Sequence, residues 1–151
     1  MSGIGSGPSS STMDEETRVA IVRGRAQVTQ LRGYSSVFNA DNVRNSVAGI
    51  CHSAELIFSL FESDPRKAAM ARGFVDYTLT RTLAIVARYR DLSSHRTAAA
   101  QTTLSNVETL LETIDRSFRD QIDRLVAEDA ADLDSEVEVL KTRLEIEGET
   151  S

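Results

Sequence analysis

The stretch VRNSVAGICHSAELIFSLF, Val43–Phe61, decides the fold. Its apolar residues Val43, Val47, Ile50, Ala54, Ile57 and Phe61 follow one another at spacings of four, three, four, three and four. That is the heptad stripe of a helix buried along one face; a half-buried strand would alternate instead. Cys51 and Phe58 lie beside the stripe and widen it. Asn39 or Asp41 can cap its start. The helix should stop at Ser63, because the residue before a proline is pushed out of the helical region.

Working outward, Asp64-Pro65 reads as a restart, with Asp as N-cap and Pro at the first helical position, where its missing N–H costs nothing. The third helix then runs to about Leu92. Val75, Leu79, Thr82, Val86 and Tyr89 form one stripe; Phe74, Tyr77, Ala84 and Ile85 add a second, which places this helix near the centre of a bundle. After a break at Ser93-Ser94, Leu104, Val107, Leu111, Ile114, Phe118, Ile122 and Leu125 continue a helical stripe. The acidic stretch beyond Glu128 should break it, with Asp132 or Asp134 capping a last helix that carries Leu133, Val137, Leu140 and Leu144 and ends near Gly148. Upstream, Thr12, Glu15 and Glu16 resemble a helix start. Val19, Val22 and Ala26 share a face there, while Gly24 and Gly33 weaken the segment.

The expected fold is therefore all-α: an antiparallel bundle of four to five helices with heptad-like packing. It divides into a disordered Gly/Ser-rich tail (1–12), an N-terminal helix and linker (13–38) and the bundle proper (39–148). A chain of 151 residues has room for one domain with a core, and 5% aromatics with no tryptophan suits helix–helix packing.

The net charge of −6 argues against nucleic acid as partner, because phosphate binding needs a basic surface. The charge is uneven. From Pro65 to Arg96 the bases Arg66, Lys67, Arg72, Arg81, Arg88, Arg90 and Arg96 face only Asp76 and Asp91. From Glu128 onward the acids Glu128, Asp129, Asp132, Asp134, Glu136, Glu138, Glu145, Glu147 and Glu149 face only Lys141 and Arg143. Either these segments pair within the bundle, or the basic face awaits an acidic partner or a lipid headgroup. On the second reading the partner-binding residues are Arg66, Lys67, Arg72, Arg81 and Arg88.

No catalytic, cofactor or metal constellation is expected. Cys51 sits in a buried stripe without a second cysteine, as a core thiol does. His52 and His95 fall on different elements and lack metal-site spacing. Asp132, Asp134 and Glu136 fit the first positions of a calcium loop, but Val137 stands in its glycine place and Arg143 where its bidentate Glu belongs. There is no Glu-x-x-His pair, phosphate loop or nucleophile elbow. One cysteine and no membrane-spanning stretch point to the cytoplasm, with peripheral contact at the inner membrane left open.

Two segments, FESDPRKAAMARGFVDYTLTRTLAIVARYRDL (Phe61–Leu92) and LVAEDAADLDSEVEVLKTRLEIEG (Leu125–Gly148), resemble the XpaC-like family, named for 5-bromo-4-chloroindolyl phosphate hydrolysis. The matching pieces are Asp64-Pro65, Phe74-Val75-Asp76-Tyr77 with Leu79, Tyr89-x-x-Leu92, and Asp132-Leu133-Asp134 leading to Glu136, Val139-Leu140 and Gly148. The resemblance covers about Asn39 to Gly148. The family pattern carries Tyr and Pro where Thr78 and Thr80 stand here, so the third helix should be straighter than in relatives. The resemblance implies a bacterial protein associated with TelA-type toxic-anion (tellurite) resistance proteins, and its name implies a phosphatase. The residues show no nucleophile, metal cluster or phosphate cradle, so the leading expectation is a non-enzymatic helical interaction protein of this family, acting as adaptor to a helical, TelA-like partner. The alternatives are a phosphate-ester hydrolase using the same arginines to grip phosphate, and a homo-oligomeric bundle, a homodimer above all.

Overall fold

A computed structural model of the chain describes residues 14–150; the tail expected over 1–12, with Thr12, lies outside them. The described residues form helices joined by short turns, in four rods and with no strand among them. None of their helices is long and apolar enough to cross a membrane.

Helix α2 (Asp41–Ser63) buries the whole expected stripe: Val43, Val47, Ile50, Ala54, Ile57 and Phe61 are at most 1% exposed, as are Cys51 and Phe58. Neither Asn39 nor Asp41 caps it. The N-cap position falls on Ala40, which has no acceptor, and Arg44 ties the start down by donating to the carbonyls of Phe38 (2.8 Å) and Asn39 (3.0 Å).

Helix α1 (Glu15–Ser35) starts at Asp14, whose Oδ1 accepts from the Thr17 N–H at 2.7 Å. That bond holds the Asp14 carboxyl below its usual range. The face expected from Val19, Val22 and Ala26 is the exposed one. The buried face carries Ile21, Gly24, Val28 and Leu31, because Gly24 is where α1 meets its neighbours most closely. A Cβ on Gly24 would overlap the Phe58 ring and come 2.8 Å from Val75 Cγ2.

After Ser63, Asp64 caps as expected, accepting from the Arg66 N–H at 3.0 Å, and Pro65 opens the single turn α3 (Pro65–Ala68). The third rod is then built from α4 (Ala71–Gly73), a π-helical stretch (Phe74–Leu79) and α5 (Thr80–Leu92). The rod is therefore not one regular α-helix, although it contains no proline. Thr80 holds the wider turn by donating both its N–H and its Oγ1 hydrogen (2.8 Å) to the Val75 carbonyl, five residues back. The stripe Val75, Leu79, Thr82, Val86 and Tyr89 is buried. Of the second stripe only Phe74 is; Tyr77 and Ala84 are exposed and Ile85 is half-buried. One buried stripe makes this an outer rod, and α2 is the more enclosed helix.

The fourth rod, α6, runs unbroken from Ala98 to Thr150, 53 residues and roughly 80 Å at the α-helical rise. The break at Glu128, a cap at Asp132 or Asp134 and an end at Gly148 are all absent. Nothing between Ala98 and Glu147 is Gly or Pro, and acidic residues alone do not stop a helix.

Consecutive rods reverse direction, as expected, but neighbours in space need not. Arg25 of α1 reaches Glu55 (2.8 Å) and Glu62 (2.7 Å) of α2, an antiparallel pairing. Arg72 meets Glu16 (2.7 Å) and Thr80 meets Gln27 (2.9 Å), so α1 and the third rod run parallel. Tyr89 with Glu108 and Phe74 with Phe118 set the third rod antiparallel to α6. Asn42 with Glu108, and Gly49 against Asp115, set α2 parallel to α6. Around the bundle the order is thus α1, α2, α6, third rod.

Gly24→Ala should lower stability by about 1–3 kcal/mol through overpacking. Gly33→Ala, where a Cβ meets nothing within 4 Å, should raise it by about 0.5–1 kcal/mol through helix propensity. Denaturant unfolding checks both, and a stabilised Gly24→Ala would refute the close approach.

Candidate functional site

Each of the five cations singled out from the sequence lies on the third rod or on α3 before it. Lys67 is 4% exposed, its ammonium paired with Asp129 of α6 and 3.4 Å from Asp64. The hydrogen bond to Asp129, then that to Asp64, raises its pKa against the opposing pull of burial. Arg66 donates to Asp64 (3.3 Å) and to Asp132 of α6 (3.1 Å). Arg72 reaches Glu16 of α1. Arg66 and Lys67 thus pair with the acidic segment, as the side-by-side reading of the charge segments anticipates, whereas Arg72 pairs with α1. Arg81 lies over the exposed Tyr77 ring, 4.4 Å from its centroid, and Arg88 stands at the rim of a groove between α5 and α6. Those two point away from the core, and the five do not form one patch.

That groove, about 420 Å³, is walled by Ile85, Tyr89, Leu92 and Val107 and is mostly apolar. Tyr89 donates its hydroxyl to Glu108 at 2.7 Å; burial first, and the Glu108 hydrogen bond second, push its pKa upward, so it is no acid or base near neutrality. A second groove, between α2 and α6, brings His52 and Ser53 near Asp115, Arg119 and Asp123. There Asp115 Oδ1 is buried without a hydrogen-bond partner, while Oδ2 lies 3.5 Å from Arg119. His95 is far from His52 in this arrangement, at the α5–α6 turn.

Cys51 is enclosed, with the Val28 carbonyl 3.8 Å from its sulfur, and burial raises its pKa to about 11. A thiol so placed is a poor nucleophile. Asp132, Asp134 and Glu136 sit on a straight helix, so they do not converge as a calcium loop does. Among the described residues no group of three His, Cys, Asp or Glu side chains is arranged to hold a metal.

The feature that sequence reading misplaced is the far half of α6. Leu125 is its last buried residue, and every residue from 126 to 149 is exposed. Val126, Ala130, Leu133, Val137, Leu140 and Leu144 repeat at four and three along one side. Leu133, Val137, Leu140 and Leu144 are 45–59% exposed, where bundled heptad positions are close to zero. The expected last helix exists, but projects from the bundle instead of folding back onto it. The uninterrupted run of helix formers from Ala98 was the signal that could have shown this.

Residues 15–140 match the family described as 5-bromo-4-chloroindolyl phosphate hydrolysis protein, and the chain belongs to that XpaC-like family. The match takes in α1, which the resemblance from Asn39 onward left out. No curated protein and no solved structure matches.

Asp129→Ala should destabilise the bundle by about 1 kcal/mol, because it deprives the enclosed Lys67 ammonium of its closest acceptor. Lys67→Met should be nearly neutral, since it keeps the buried stem and leaves Asp129 half in water. Equal losses in denaturant unfolding would contradict this account of the pair.

Proposed function

We propose that this member of the XpaC-like family is a non-enzymatic helical interaction protein whose docking element is the projecting half of α6. One observation carries the reading. A helix clear of its own bundle shows water a heptad seam of Leu133, Val137, Leu140 and Leu144. An isolated amphipathic helix gains little from such a stripe until another helix covers it. Helix-against-helix docking along alternating three- and four-residue anchors is the matching recognition mode.

A helical, TelA-like toxic-anion resistance protein as the partner is part of this proposal and rests on the family resemblance alone. Among the five cations proposed for partner binding, Arg81 and Arg88 remain directed outward; Arg66, Lys67 and Arg72 would support the surface by fixing α3 and the third rod. A phosphate-ester hydrolase is the competing reading and rests on the family description. Cys51 is buried and Tyr89 is held protonated, so neither supports it.

In a pull-down from native bacterial lysate, with mass spectrometry of what the full chain retains, L133E/L140E should lower partner recovery by about tenfold or more while far-UV circular dichroism stays helical. R81E/R88E should weaken it in a salt-dependent way. Unchanged recovery with both variants would sink the reading. Turnover of an indolyl phosphate by the purified chain, with or without divalent metals, would install the hydrolase in its place.

A further inference from the structure

We infer that the occupant of the exposed α6 seam is a second copy of this chain, lying antiparallel to the first. The inference rests on the reading of the projecting half of α6 as a helix-docking element and departs from it in the occupant, a second copy in place of a TelA-like protein. Along residues 126–149 the seam residues are flanked on one side by Asp134 and Lys141, and on the other by Asp129, Glu136 and Arg143. Lys141 and Arg143 are the only bases of this stretch, and both fall at flanking positions. Charges there, not on the outer face, set partner and orientation in a two-helix coil.

Set two copies antiparallel with Val137 of one opposite Leu140 of the other. Leu133 then meets Leu144, so the four bulkiest exposed seam residues fill four consecutive layers. On one flank Asp134 meets Lys141, and on the other Glu136 meets Arg143, each twice by symmetry. All four contacts are attractive. The layers beyond these set Ala130 opposite Glu147, Thr150 comes level with Ala127 of the other copy, and the two bundles stand at opposite ends. A parallel, in-register pair keeps only the Glu136–Lys141 contact, once on each flank, places Arg143 beside Gly148, and forces the bundles side by side. Charge complementarity therefore selects the antiparallel pair.

Among the described residues Lys141 and Arg143 pair with exposed acids of the same helix, Glu138 at 3.8 Å and Glu147 at 3.2 Å. Pairs of that kind are weak and readily exchanged. The seam of the bundled half of α6 is taken up by the other rods, and Asp129 and Asp132 are engaged by Lys67 and Arg66. The free seam thus begins where the internal contacts of α6 stop.

Sedimentation of the full chain over a concentration series tests this. The chain should dimerise reversibly, and K141E/R143E should weaken the dimer by about tenfold or more, since it turns four attractions into repulsions. Mixing that variant with D134K/E136K should restore a dimer that neither forms alone. On oxidation a mixture of V137C and L140C chains should crosslink faster than either chain alone, because those positions are opposed only in the antiparallel register. A monomer at every concentration overturns the inference, as does faster crosslinking of L140C with itself. If the chain is monomeric yet L133E/L140E still abolishes capture of another protein, the second copy falls and the interaction reading stands; if capture is unaffected as well, both fall.

Discussion

Four phenylalanines hold the rods in register, and the space they need is the missing Cβ of Gly24. The Phe58 ring occupies that space on α1. It then meets Phe61 on its own helix edge to face at 6.5 Å and Phe74 on the third rod at 5.6 Å. Phe61 meets Phe74 at 6.0 Å, and Phe74 meets Phe118 of α6 at 5.1 Å. Every rod contributes to one continuous contact, and each ring pair adds about 0.5–1.5 kcal/mol beyond its buried area. Pushing Phe58 outward would move the three other rings with it. A position that looks like a weakness in a helix is thus the point on which helix spacing depends.

The π-helical stretch belongs to the same constraint. It begins at Phe74 and ends at Leu79, so the wider turn lies where the third rod passes Gly24 and turns Phe74 and Val75 inward. Tyr77 is left in water, with Arg81 over its ring. Thr80 closes the wider turn by donating its N–H and its hydroxyl hydrogen to the Val75 carbonyl.

What the sequence made legible follows from what periodicity records. The stripe of α2 and the Val75–Tyr89 stripe were plain, because a heptad of β-branched and large residues has one burial solution. Asp64-Pro65 was plain because cap chemistry is local. The buried face of α1 was not, since glycine contributes nothing to an apolar pattern while Val19 and Val22 contribute strongly, and both of those stayed in water. The caps on Asn39 and Asp41 failed for a related reason: Arg44 reaches back to the preceding carbonyls, a contact no spacing rule shows. Along α6 the pattern Leu133, Val137, Leu140, Leu144 was read correctly as a helical seam. Periodicity says that such a seam is to be covered, not whether the same chain covers it.

The charges on the projecting half explain why it is not self-sufficient. Glu145, Glu147 and Glu149 crowd the C-terminal turns, where the helix macrodipole already concentrates negative charge. Arg143 precedes Glu147 by four residues, the less favourable order for such a pair. Neither arrangement strengthens a lone helix, and both Lys141 and Arg143 flank the seam, where they are of most use to a neighbour. By contrast the acids nearest the bundle, Asp129 and Asp132, are neutralised within the chain by Lys67 and Arg66, which fixes the angle at which α6 leaves the core. The acidic run is therefore two things in sequence. Its first turn anchors the helix to α3; the remainder presents an apolar edge bordered by both signs of charge, and it is this edge that the proposed pairing would cover.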